Sequence, residues 1–180
     1  MIQAQTVADL VGGFDDATDG QALKSCELIL RLLEGSPEPF HRNHFTPGHI
    51  TCTGLVLAPG AERILLVHHR RLHRWLLPGG HVEPDDASVA DAARREVVEE
   101  TGAVLLPGAA PLIGADVHAI PTNGREPYHL HHDLLFQFHA IADELRVSSE
   151  SHAVTWCTPA DFDRYQIPGN VRRAYRRILK

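Results

Sequence analysis

Cysteine is scarce in this 180-residue chain. Cys26, Cys52 and Cys157 are the only three, and no two stand at a paired spacing such as C-x-x-C. That argues against a disulfide framework or a zinc knuckle and fits reduced thiols in a cytoplasmic protein. Long apolar runs are missing too: none approaches the roughly 20 residues that span a bilayer. The opening MIQAQTVADLVGGFDD has no basic stretch leading into an apolar one, so no signal peptide is expected. Positive charge is also short. Seventeen Lys and Arg against 23 Asp and Glu give a formal net charge of −6, which offers no electrostatic case for nucleic acid or an anionic membrane as partner. An anionic substrate would need local cations, from a metal or a basic loop.

What remains is ordinary for one soluble domain with a substantial core: 43% hydrophobic and 22% charged residues, with no repeat or low-complexity tract. The unusual count is 13 histidines. Many titrate near neutrality, so the net charge becomes much less negative between about pH 7 and 6.

Residues 1 to about 36 read as helical. Val7, Leu10, Val11 and Phe14 form one periodic set; Ala22, Leu23, Cys26, Ile29, Leu30 and Leu33 form a second, after the break DDATDG. HITCTGLVLAP and RILLVHH are β-branched apolar runs separated by PGAE, a hairpin signal. PLIGADVHAI and YHLHHDLLFQFHA read as strands joined by the turn-rich PTNGREP, and AVTWCTP as a further short strand. DDASVADAARREVVEETG is the strongest helix pattern, with Asp86 as expected N-cap and Gly102 as C-cap. PADFDRY and PGNVRRAYRRILK read as closing helices, each opened by proline. Interspersed strands and helices with hairpins predict an α/β fold, a mixed sheet between helical layers.

Within the strong helix, RREVVEETGA concentrates carboxylates where local physics disfavours them. Glu96, Glu99 and Glu100 share one face at i, i+3 and i+4, where like charges repel by a few tenths of a kcal/mol per pair. They also sit near the negative end of the helix dipole. A dication would turn that repulsion into shared coordination.

Gly79, Gly80, Glu83 and REVVEETG together resemble the Nudix box of the Nudix hydrolases. Arg95, Glu96, Val97, Glu99, Glu100, Gly102 and Ala103 fill every specified place of its second half. LPGG before the box and an acid followed by tryptophan in ESHAVTW also match the family's layout, so the resemblance runs over about residues 48–162. One position departs: the family's spaced acid would fall at Ala87, whereas Asp86 lies one residue earlier, so the loop after Gly80 is one residue longer. That acid usually supports the loop, so the departure bears on loop geometry.

The resemblance implies a Nudix-type α/β/α sandwich over residues 46–180; residues 1–45, from their own helical pattern, read as an extension packed on it. It implies a hydrolase of nucleoside diphosphates linked to another group, dependent on Mg²⁺ or Mn²⁺. Mg²⁺ prefers hard oxygen ligands and bridges carboxylates to phosphates. By family analogy the ligands are the Gly79 carbonyl, Glu96, Glu99 and Glu100, with Glu99 or Glu100 as base. Arg95 pairs with a box glutamate and holds its rotamer. Glu150, in the loop before the last strand, corresponds to an acid that serves in many such proteins as an additional ligand or the base.

Other candidates lie outside the box. Strand alternation puts His129, His131, Asp133, Gln137 and His139 on one face, with His118 close across the hairpin. The favoured reading is a polar sheet face whose histidines bond backbone or water. The alternatives are ligation of Zn, Mn or Fe, or substrate contact, in which His81, His129 and His131 would take part. Arg70 and Arg74 in HHRRLHRW are candidates for holding an outer phosphate. Trp75 reads as packing, and the basic C-terminal helix as an amphipathic surface helix. The expected partner is a small phosphorylated metabolite, and a homodimer is open. Two rival readings use the same fold: a nucleotide-sensing binding module and a metal-dependent prenyl-diphosphate isomerase.

Overall fold

The computed structural model describes residues 2–149 and 151–179. The N-terminal region forms α1 (Ala4–Gly12) and α2 (Gly20–Gly35). Asp19 caps α2 by accepting the Ala22 N–H at 3.1 Å. Val7 and Val11 of α1 and Cys26, Ile29, Leu32 and Leu33 of α2 are buried in one core, as their helical period requires.

Seven strands follow: β1 (Gly48–Leu57), β2 (Ile64–His69), β3 (Arg74–Leu76), β4 (Gly79–His81), β5 (Leu112–Ile120), β6 (His129–His139) and β7 (Ser151–Cys157). The sheet runs β3-β2-β1-β6-β5, with β4 added on β1 and β7 on β2. β1 and β6 are parallel and the other pairs antiparallel, so the sheet is mixed. The expected hairpin between β1 and β2 closes at a single pair, Leu57 opposite Ile64. Beyond it the two strands part. The first half of β1 takes β4 instead, with Thr51 opposite His81 and Thr53 opposite Gly79. That split opens the sheet into a cleft lined by Thr51, Thr53, Leu66, Leu76 and Gly79.

Helices α1, α2 and α3 (Val89–Thr101) cover the face that carries Ile50, Cys52 and Val56 of β1. Helix α4 (Gly169–Ile178) covers the other, against Leu55, Leu57, Ile64 and Leu66. This is the α/β/α layering expected. Nearer the start of β1 the second face turns polar, with His49, Thr51 and Thr53. α3 lies so close to β1 that a Cβ at Gly54 would stand 2.4 Å from Val97 Cγ2. The N- and C-terminal helices are tied together by ion pairs of Arg177 with Asp16 and Asp19 and of Arg173 with Asp19.

Three local expectations need correction. The N-cap of α3 is Ser88, whose hydroxyl accepts the Asp91 N–H at 3.1 Å. Asp86 lies outside the helix because Arg95 draws its carboxylate inward. PADFDRY yields only the short 3-10 turn Pro159–Asp161: Gln166, at φ 53°, leaves helical space before Pro168. The short strands β3 and β4, not foreseen from the sequence, exist because β1 and β2 each leave an edge for them.

Candidate active site

The buried stripe of α3 fixes the rotation of the helix. Val89, Ala92, Ala93 and Val97 face the core, which sets Glu96 and Glu100 toward β4 and leaves Glu99 outward, its side chain 60% exposed. Glu100 is 7% exposed, and its Oε2 accepts the Gly79 N–H at 3.0 Å. Glu96 lies against Gly80, where a Cβ would come within 2.6 Å of the carboxylate. Glycine here is a requirement of close approach: any side chain would displace Glu96.

Arg95 holds the carboxylates in place. Its Nε and NH2 donate to Oδ1 and Oδ2 of Asp86, each at 3.0 Å. NH2 also donates to the His81 carbonyl at 2.8 Å, and NH1 to Glu96 at 3.0 Å and Glu99 at 3.2 Å. Asp86 further accepts the Glu83 N–H at 2.7 Å, closing the loop between β4 and α3. Burial acts to raise the Asp86 pKa, but the hydrogen bonds from Arg95 and the Glu83 amide outweigh it and hold the group below its usual range. Glu83 itself is 4.0 Å from Arg95 and mostly exposed. Asp86 thus does, from one position earlier, the loop-supporting work the family pattern sets near Ala87.

On the polar face, the Thr51 and Thr53 hydroxyls both donate to Asp133 Oδ1 at 2.9 Å. Burial pushes the Asp133 carboxyl up to about 6, against those two bonds. His118 lies near it across β5, and His49, His81, His129 and His131 gather farther along the same face. Burial lowers His49, brings His81 down to about 4 and His131 to about 2, so these rings are neutral near pH 7. His118 is raised, chiefly by its hydrogen bond to Asp116 at 3.0 Å.

The residues singled out from the sequence divide by position. Gly79, Arg95, Glu96, Glu99 and Glu100 line one cleft, together with Arg74, His81 and His131. Arg70 is exposed and outside that lining, where Arg71 stands instead. His129 is 2% exposed, set behind His131 rather than on the cleft surface. Glu150 lies outside the described residues. Trp75 packs edge-on against Tyr165, rings 5.1 Å apart. Sequence reading missed His49, Thr51 and Thr53, because the parallel pairing of β1 with β6 that brings them to Asp133 and His131 leaves no local signal. It also missed Arg125 and Asn123 of the β5–β6 loop, which reach the cleft.

The carboxylates at the Gly79–Gly80 strand offer hard oxygen donors alone, the set a Mg²⁺ or Mn²⁺ ion takes. The chemistry of the donors therefore fits such an ion. Among the described residues, no helix is long and apolar enough to cross a membrane.

Comparison with known proteins agrees with this geometry. The family model for the NUDIX domain matches residues 48–178. The "Putative 8-oxo-dGTP diphosphatase" of Bacillus subtilis (strain 168) is 30% identical over 113 residues, 63% of this chain and 69% of that one. The MutT NUDIX hydrolase from Burkholderia pseudomallei superposes with a TM-score of 0.54 at 25% identity, over 72% of this chain and 96% of that one. The NUDIX domain of Shewanella oneidensis NrtR, solved with ADP ribose, shares the fold at a TM-score of 0.55 and 17% identity, over 83% of this chain and 97% of that one.

Proposed function

Because the chain belongs to the NUDIX domain family, we propose that it hydrolyses a nucleoside diphosphate linked to a further group, using Mg²⁺ or Mn²⁺ and water. One observation carries the reading: two box carboxylates are seated on the Gly79–Gly80 strand, Glu100 by the Gly79 N–H at 3.0 Å and Glu96 against Gly80. A solvated helix face would have no reason to bury Glu100 there.

Glu96, Glu99, Glu100 and the Gly79 carbonyl are the proposed metal ligands, with Glu150 as an additional one. When bound, the dication neutralises the diphosphate and acidifies the attacking water. Glu99 or Glu100 accepts the proton as the water oxygen bonds to phosphorus. The bond from phosphorus to the bridging oxygen breaks, and its electron pair leaves with the departing phosphate. Arg95 positions this machinery by holding Glu96 and Glu99 through NH1 while Asp86 anchors its other edge. Arg74 and Arg71, exposed on the cleft wall, and His81 are the proposed contacts to outer phosphates. We read residues 46–180 as the catalytic domain and 1–45 as an extension whose helices complete its core, in a protein whose three buried, unpaired thiols suit the cytoplasm.

The test is phosphate release from a panel with Mg²⁺ or Mn²⁺: nucleoside triphosphates including 8-oxo-dGTP, nucleotide sugars, ADP-ribose and dinucleoside tetraphosphates. Turnover should concentrate on one class and fall at least about a hundredfold in Glu100→Gln or Glu99→Gln, the size of effect expected for losing a general base. Wild-type turnover in both variants would show that the carboxylates do not perform the reaction.

A further inference from the structure

Along the polar face of the sheet, beyond the carboxylates, imidazoles gather from four strands. His49 of β1 stands opposite His131 of β6, which stands opposite His118 of β5; His81 of β4 is opposite Thr51. Ring centroids lie 4.9 Å apart for His49 and His131, and 5.1 Å for His49 with His129, His129 with His131, and His49 with His81. Such crowding is unfavourable for protonated rings and leaves neutral rings facing one another with few polar partners.

Two of these rings have their tautomer set. His49 Nδ1 meets the His44 carbonyl at 3.1 Å, and His129 Nδ1 meets the Pro127 carbonyl at 2.8 Å. A carbonyl only accepts, so each Nδ1 carries its proton and each Nε2 presents a lone pair. His49 is wholly buried, and its Nε2 has no hydrogen-bond partner among the described residues. A buried acceptor without a donor is costly unless something else takes the lone pair. Nδ1–H bonded to a backbone carbonyl is also how metal-ligating histidines are held.

We propose that His49, His129 and His131 form a site for a borderline transition dication of the zinc type, distinct from the oxygen-only carboxylate site. One nitrogen from each ring lies within 4.8 Å of the others. A tetrahedral ion with bonds of about 2.0–2.1 Å places its donors about 3.3 Å apart, so the rings need to close by less than about 1 Å each. Imidazole donors select zinc-type ions, carboxylate and carbonyl oxygens select Mg²⁺ or Mn²⁺. The two sites are thus sorted by chemistry. They are also separated in space: His49 is four residues along β1 from Thr53, the partner of Gly79, roughly 13 Å at strand rise. Phe45 flanks the buried side, its ring 5.0 Å from that of His129. His131 and His81 border the cleft, so the remaining coordination position opens toward it.

The test uses the full chain stripped of metal by chelation, with Co²⁺ and Zn²⁺ as probes. Wild type should bind one equivalent of Co²⁺ with visible ligand-field absorption, unchanged by saturating Mg²⁺ and by Glu100→Gln and lost in His131→Gln. Zn²⁺ should shift three imidazole Nε2 resonances of the wild-type protein in histidine-selective ¹⁵N NMR, two of them in Nδ1–H tautomers, a readout that needs no variant to fold. Displacement of Co²⁺ by Mg²⁺, loss of the absorption in Glu100→Gln, or imidazole resonances indifferent to Zn²⁺ would overturn the site. So would a response to inorganic phosphate alone, which would make the cluster an anion pocket. Since metal content and ¹⁵N shifts are read without substrate, failure here leaves the hydrolase reading untouched, and the converse holds.

Discussion

Replacing Asp86 by Asn removes one charge from the network that holds the box in place. The wild-type carboxylate accepts Nε and NH2 of Arg95 at 3.0 Å each and the Glu83 amide at 2.7 Å. An asparagine has one oxygen for three donors, and its NH₂ must face at least one of them. Breaking a fully buried ion pair costs about 3–5 kcal/mol. Here the Asp86 side chain is 6% exposed and that of Arg95 21%, and Arg95 keeps the His81 carbonyl, Glu96 and Glu99. The loss should therefore be smaller, about 2–3 kcal/mol, or roughly 4–12 °C in melting temperature for a domain of this size. Glu83→Gln is the internal control: a mostly exposed acid at 4.0 Å should change stability by less than about 0.5 kcal/mol. Activity of Asp86→Asn should drop about 10- to 100-fold, the usual effect of removing a residue that orients metal ligands. Thermal melts and turnover of both variants in parallel are the assay. If Asp86→Asn melts with wild type, or if Glu83→Gln is the more damaging, the network does not hold Arg95 as described.

The two glycines that meet α3 should behave oppositely. Gly54→Ala drives a Cβ to 2.4 Å from Val97 Cγ2 and 3.2 Å from the Phe138 ring, an overpacking of about 1–3 kcal/mol that a denaturant titration will read. In Gly80→Ala the nearest atoms met are the flexible end of Glu96, at 2.6–2.8 Å, so the melting temperature should stay near wild type while turnover falls. Acid should loosen the terminal helices. Asp16 is lowered to about 2, first by its bond to Thr18 and then by Arg177; Asp19 is lowered by the Ala22 amide and Arg173 against the opposing effect of burial. A carboxyl lowered on folding contributes stability above its unfolded value, lost as pH falls through that value toward its folded one. Melts between about pH 5 and 2 should show Arg177→Met losing less than wild type over that window. Mg²⁺ at about a hundred times its dissociation constant should raise stability by about 2.7 kcal/mol through linkage, and Glu96→Gln should shrink the gain; an unchanged melting temperature in wild type would return the glutamates to a solvated face.

What could be read from the sequence was whatever is written locally. Most of the stripes of α1 and α2 survive in the core, Val7 and Val11 of the first and Ala22, Cys26, Ile29 and Leu33 of the second, because a helical period needs no knowledge of its partner; Leu10, expected with the first, is 37% exposed. The glutamate spacing put Glu96 and Glu100 on one side for the same reason, whereas Glu99, expected with them, turns outward with its side chain 60% exposed. The cap of α3 was misread because Asp86 and Ser88 are both good capping residues, and the choice turns on Arg95, nine positions away from Asp86. Strands β3 and β4 were invisible because two three-residue pieces of RWLLPGGH carry no period; they form only where β1 and β2 diverge. His49 was missed for a like reason. Its alternation within HITCTG says which face it takes, but not that a parallel strand 82 residues on sets His131 beside it.

Isotope-labelled water tests the central claim most directly. Turnover of the best substrate from the panel in H₂¹⁸O with Mg²⁺ should put one ¹⁸O into one phosphate-bearing product, detected by mass spectrometry. The rate of labelling should equal the rate of product formation and fall at least about a hundredfold in Glu100→Gln or Glu99→Gln. Substrate that stays whole under turnover conditions, comes out isomerised with no label, or takes up label at the wild-type rate in both Glu100→Gln and Glu99→Gln would contradict hydrolysis by this carboxylate face.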